Sequence, residues 1–109
     1  MAETIKVLAQ SNPGATTLTD IYTIPASTAA VISSIVVCNQ GSATVTFRIS
    51  IQVNNAADDP KQYLYHDLSI PAHDTFVATL GVTLAAGDVI AVYAGTTDLS
   101  FNVFGTEIV

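Results

Sequence analysis

From Thr44 to Val53 apolar and polar residues alternate without a break. Val45, Phe47, Ile49, Ile51 and Val53 point one way, and Thr44, Thr46, Arg48, Ser50 and Gln52 point the other. A period of two is the pleat of an antiparallel β-strand with one face in a core and the other outside it. It is the clearest of four such stretches, and no window shows the i, i+3, i+4 apolar spacing of an amphipathic helix. The chain is therefore all-β.

The remaining strand candidates follow at short intervals between turn residues. Ile5 to Ala9 ends at Ser11-Asn12-Pro13-Gly14, and Thr19 to Ile24 is closed by Pro25-Ala26-Ser27. Ala30 to Cys38 is apolar on both parities, which predicts a central strand covered on both faces. Asn39-Gln40-Gly41-Ser42 has the composition of a hairpin connection, so this strand is expected to pair with the one from Thr44 to Val53. Asn54 to Pro60 is polar and reads as an exposed loop. Then come Gln62 to Leu68, a turn from Ile70 to Asp74, Phe76 to Leu84, a turn from Ala85 to Asp88, and Val89 to Ala94. A hairpin at Gly95-Thr96-Thr97-Asp98 leads into Leu99 to Ile108. About eight strands in 109 residues predict a single antiparallel β-sandwich, jelly-roll-like, with all of 1–109 in one domain. The segment 1–13 is only loosely tied to it by pattern and is expected to be an N-terminal arm.

The chain also echoes itself. Ile24-Pro25-Ala26 followed by Val31 matches Ile70-Pro71-Ala72 followed by Val77, at an offset of 46 residues. Each is a strand, a proline that cannot donate to a ladder, and a new strand. That suits two similar Greek-key halves or two coincidentally similar corners.

Composition narrows the function. Three basic against nine acidic residues give a net charge of −6, which repels a phosphate backbone and argues against nucleic-acid binding. No apolar run approaches the roughly 18 residues of a spanning helix, so no membrane segment is expected. The N-terminal residues lack the basic start and apolar stretch of a secretory signal, so synthesis in a cytoplasm is expected. Charged residues are 11% of the chain, against about 25% in a typical soluble domain, and Thr, Ser, Asn, Gln and Ala fill the outward positions. Such a surface suits burial against other subunits, and a bland solvated surface is the alternative.

Few residues suggest chemistry. Cys38 is the only cysteine and, within an apolar run, reads as a buried small hydrophobe. Two histidines each precede an aspartate, His66-Asp67 and His73-Asp74, but neighbours on a strand face opposite sides, so neither pair is expected to work as a base and its orienter. Asp58, Asp59, Asp67, Asp74, Asp88 and Asp98 lie mostly at turns, where such side chains hydrogen-bond their own backbone. Their spacing does not form a calcium loop, which leaves an ion between strands or at a subunit axis as the alternative. Tyr63 and Tyr65 alternate on one face, with Tyr22 and Tyr93 elsewhere; they read as packing at a core edge or subunit contact, with a sugar platform as the alternative. The expectation is a non-enzymatic chain with no catalytic, cofactor or metal site.

Ile21-Tyr22-Thr23-Ile24-Pro25-Ala26-Ser27-Thr28-Ala29-Ala30-Val31-Ile32-Ser33-Ser34-Ile35-Val36-Val37-Cys38-Asn39 is the first of three stretches with a recognisable likeness. With Leu84 to Ala94 and Leu99 to Gly105, it resembles small virion proteins of tailed bacteriophages, from about Thr17 onward. The resemblance implies a β-sandwich structural component of the virion, with no enzymatic residues to carry over. It implies a subunit of a capsid or tail; the preferred reading is a capsid decoration (cement) protein, expected to bind the assembled shell as a homotrimer with the major capsid protein as partner. A tail, neck, baseplate or fibre component is the alternative, and a carbohydrate-binding module is a second.

Overall fold

The computed structural model describes residues 2–109 as eight strands: β1 Glu3–Ser11, β2 Thr19–Thr23, β3 Ala29–Asn39, β4 Val45–Gln52, β5 Tyr63–Ile70, β6 Thr75–Leu84, β7 Val89–Ala94 and β8 Leu99–Ile108. Two short 3-10 turns, Val53–Asn55 and Pro60–Gln62, lie in the β4–β5 loop, and no α-helix occurs among the described residues. The strands form two four-stranded antiparallel sheets, ordered β1-β8-β3-β6 and β2-β7-β4-β5. Only β4 and β5 are consecutive in sequence and adjacent in a sheet; every other connection crosses between sheets. That is jelly-roll connectivity. The core between the sheets is led by Phe47, Phe101, Ile32, Ile35, Ile49 and Leu99.

The crossings correct two expected hairpins. β3 and β4 do not pair: β3 lies between β8 and β6, and β4 between β7 and β5. Asn39 directs the crossing, because its buried side chain donates to the carbonyls of Ala43, Ile70 and Pro71 and accepts from Gly41 N–H. These bonds hold the β3–β4 connection against the β5–β6 corner, away from a return beside β3. Gly95 to Asp98 likewise carries the chain from β7 in one sheet to β8 in the other.

β3 is central, but only one of its faces enters the core. Ala30, Ile32, Ile35 and Val37 are buried, whereas Val31, Val36 and Cys38 are half-exposed on the outside. A bulge between Ile32 and Ser34 switches the parity of the strand, so Ile32 and Ile35 reach the same core from opposite parities. Apolar residues on both parities thus recorded a change of phase, and Cys38 is not a buried hydrophobe.

The expected N-terminal arm is corrected as well. Over Glu3–Ser11 it is β1, paired along β8 from Glu3 opposite Ile108 to Ser11 opposite Phe101; Met1 lies outside the described residues. Lys6 of β1, Glu107 of β8 and Tyr22 of β2 form a polar clasp across the two sheets. Lys6 Nζ is 2.7 Å from Glu107 Oε1, and the Tyr22 hydroxyl donates to Glu107 Oε2.

The sequence echo corresponds to two sheet-crossing corners, β2 to β3 and β5 to β6. Ile24 and Ile70 are both buried, and Ser27 and His73, again 46 residues apart, both have left-handed backbones at φ 57° and 58°. A positive φ at the third residue of a turn is the type II signature.

Candidate binding cleft and interaction face

The chemically richest surface lies outside the β2-β7-β4-β5 sheet. Arg48 on β4 is opposite Tyr93 on β7, and both point away from the core. Its guanidinium carbon stands 4.3 Å from the centroid of the Tyr93 ring, a cation–π stack. Arg48 Nε is 2.7 Å from Asp67 Oδ1, and a second nitrogen is 3.3 Å from Oδ2, so the fork is bidentate. Arg48, Asp58, Pro60, Tyr63 and His66 line an open cleft of about 520 Å³.

Irregularities in β5 make this cluster. Between Phe47 opposite Leu68 and Ile49 opposite Tyr65, β5 contains an extra residue, and Asp67 sits at φ 56°. The left-handed residue breaks the alternation and brings His66 and Asp67 toward one another, contrary to the rule for a regular strand. His66 Nδ1 is nevertheless 3.6 Å from Asp67 Oδ2, beyond hydrogen-bond range, and the Asp67 oxygens already accept from Arg48. A second shift, with Ser50 opposite Tyr63, places Tyr63 outside and leaves Tyr65 on the core side. Tyr65 packs on Phe76 and Phe47, with ring centroids 5.2 and 6.3 Å away. Tyr63 meets His66 edge to face at 5.0 Å and donates to Asp58 Oδ1 at 2.7 Å. The two tyrosines therefore form no shared platform. The bulges responsible leave no mark in a two-residue period; only the tertiary register reveals them.

Asp59, Asp74, Asp88 and Asp98 lie at turns. Asp59 caps the Pro60–Gln62 turn in a capping box, and Asp74 accepts from Thr75 N–H. Asp88, nearly buried, accepts from the N–H groups of Asn54 and Ala85 at 2.8 Å each. Asp98 packs its side chain against Gly41 and accepts Gln40 N–H at its backbone carbonyl. His73 lies in the β5–β6 corner, with its N–H bonded to the Gly41 carbonyl. Among the described residues no three His, Cys, Asp or Glu side chains gather as a metal cluster, and no helix is long and apolar enough to cross a membrane.

The electrostatics of the cleft are largely self-satisfied. The bond from Arg48 holds the Asp67 carboxyl below its ordinary range, and the same bond raises Arg48. Burial, then the bond to Asp58, pushes the Tyr63 phenol up. In the clasp, Lys6 and then Tyr22 hold the Glu107 carboxyl down, while burial and Glu107 push the Tyr22 phenol up. Both carboxyls have folded pKa values below their unfolded ones, so their stabilisation is complete above the unfolded carboxylate range and is lost as pH falls through the folded values. The melting temperature of the wild type should fall between about pH 5 and about pH 2, and the doubly neutral variant Asp67→Asn/Glu107→Gln should lose less over that window. Equal slopes in scanning calorimetry would contradict this assignment.

The opposite outer face, that of β1-β8-β3-β6, differs in character. From Ile5 onward its outward positions carry no charge; they are Val, Thr, Ser, Asn and Gln with Ile5, Phe104 and Cys38. Ile5 is 86%, Val77 57% and Val7 48% exposed. No protein-family model matches the chain, and no curated protein aligns with it significantly.

Proposed function

We propose that the chain is a non-enzymatic structural component of a tailed-phage virion, a decoration protein that attaches in many copies to the assembled capsid. The observation that carries this reading is the outer face of β1-β8-β3-β6, which carries no charge from Ile5 onward, on a chain of net charge −6. Charge costs free energy to desolvate, so a sheet face of Val, Thr and Ser suits a dry protein contact. Repetition over a symmetric shell turns a modest contact per copy into firm attachment. A jelly roll suits that task because its sheet-crossing corners hold the face rigid. The likeness of the Ile21–Asn39 stretch to phage virion proteins supports the same reading.

Purified chain added to capsids lacking it should co-sediment with them and appear as density on the shell by electron microscopy. Val7→Asp and Val36→Asp, on the uncharged face, should abolish binding while preserving the β-sheet circular dichroism. Density on the tail, neck or baseplate would assign the alternative location, and no binding to any part of the particle would refute the proposal. The cleft beside Tyr63 favours a second reading, a weak saccharide site, in which Arg48 and Asp58 supply hydrogen bonds to hydroxyls. A glycan array should then show binding that Tyr63→Ala removes and that Arg48→Ala weakens.

A further inference from the structure

Each sheet has two edge strands, and three of the four edges are guarded. β1 carries Glu3 and Lys6, and Lys6 turns inward to the clasp with Glu107 and Tyr22. β2 is only five residues long, contains Asp20 and is bulged between Asp20 and Tyr22. β5 is bulged twice and carries His66 and Asp67. Shortness, bulges and charges are the devices by which sheet proteins keep an edge from pairing with another chain. β6 differs: Thr-Phe-Val-Ala-Thr-Leu-Gly-Val-Thr-Leu spans ten residues with no charge, histidine or proline, and although it bulges between Thr79 and Val82, its first five residues, Thr75 to Thr79, run in regular register. It pairs only with β3, so its other side leaves backbone N–H and C=O groups without a strand partner.

We infer that β6 is a pairing edge for a second copy of this chain, joined antiparallel about a twofold axis. The register against β3 locates the axis. From Thr75 opposite Cys38 to Thr79 opposite Ser34 the ladder is regular, and beyond it an extra residue before Val82 bulges β6. The regular stretch is centred on Val77, whose side chain is on the outer face beside Val36. A twofold axis at Val77 sets the two Val77 side chains together and extends one apolar row through Val36, Val77 and their copies. The sheets then merge into one of eight strands, ordered β1-β8-β3-β6-β6-β3-β8-β1.

Charge selects this arrangement over the head-to-tail alternative. Joining β6 to β1 of the next copy, as a threefold ring would require, brings Glu3 and Lys6 to the joint. Joining β6 to β6 desolvates no charged side chain of either strand, although each copy carries a net charge of −6. Long-range repulsion then opposes pairing, and salt screens it within a Debye length of about 10 Å at 0.1 M. Added sodium chloride should therefore strengthen the pair, the opposite of an interface held by ion pairs. The inference concerns the isolated chain and is independent of any attachment to a capsid.

Sedimentation equilibrium of the full chain, from micromolar to near-millimolar concentration, should show a monomer–dimer equilibrium that shifts toward dimer with salt. Val77→Lys and Thr79→Lys place ammonium groups on exposed positions of the edge, and each should raise the dissociation constant roughly thirtyfold. Ile5→Lys on the opposite edge should leave it unchanged. Hydrogen exchange supplies a second readout: β6 amides should gain protection with concentration, while those of β2 and β5 should not. A monomer at every concentration, a trimer, or a dimer undisturbed by both β6 lysines would overturn the inference.

Discussion

Gly105→Ala should destabilise the fold by about 3 kcal/mol or more, which lowers the melting temperature of a chain this size by roughly 10 °C or more. Gly105 lies on β8 between β1 and β3, opposite Lys6 on one side and Ile32 on the other. It follows Leu99, Phe101 and Val103 on the core-facing parity. A methyl group there would overlap the Val31 carbonyl oxygen far inside van der Waals contact and stand 3.1 Å from Ile32 Cα and Leu8 Cδ1. Two of these obstacles are backbone atoms of a central strand, and a backbone cannot yield as a side-chain tip can. Both neighbouring strands bulge at this point, β1 between Val7 and Ala9 and β3 between Ile32 and Ser34, so a glycine is what permits their close approach. Gly81→Ala is the control: its added methyl meets nothing within 4 Å, and the change should stay within about 0.5 kcal/mol. Urea denaturation of the two variants checks the contrast, and similar midpoints would show that the Gly105 site relaxes.

Asn39→Asp should be costlier than Asn39→Ala, although aspartate is nearly the same shape. Asn39 is 1% exposed, and its amide nitrogen lies 2.8, 3.2 and 3.1 Å from the carbonyl oxygens of Ala43, Ile70 and Pro71. Alanine leaves those carbonyls and the Gly41 N–H without their shared partner, a loss of about 2 kcal/mol. A carboxylate adds a buried negative charge facing three carbonyl oxygens, for a total of about 4 kcal/mol at neutral pH. Those carbonyls and the burial would raise the folded pKa of the new carboxyl. The charge penalty is therefore absent below the unfolded value near 4 and grows as pH rises toward the folded value. Denaturation of both variants at neutral and acidic pH should show Asn39→Asp recovering toward wild type in acid while Asn39→Ala does not. Parallel losses at both pH values would show that the amide nitrogen is not the essential partner.

Much of the architecture was legible in the sequence because burial on one side of a pleat imposes a period of two. Val45, Phe47 and Ile49 are buried as their alternation requires, and Val53 is exposed because the strand has already passed into the Val53–Asn55 turn. Turn residues marked the corners, and the repeated Ile-Pro-Ala marked two of them. The pairing of strands was less legible. A short turn can close a hairpin or carry the chain to the facing sheet, and composition is alike in both cases. Asn39 decides between them through carbonyls more than thirty residues away. The Arg48 cluster was hidden for a related reason, since it depends on bulges in β5 that bring His66 toward Asp67 and part Tyr63 from Tyr65.

Eight short amphipathic strands, sparse charge and corners set by proline, glycine and asparagine are written in the chain locally, and they define the class of structure. These follow from local sterics and from the free energy of burying one face. Which strands are neighbours, where the parity slips, which sheet face is nearly free of charge and which edge stands unguarded emerge in the folded chain alone. Those properties arise from contacts between residues far apart in the chain, through bulges and crossings that no local pattern encodes.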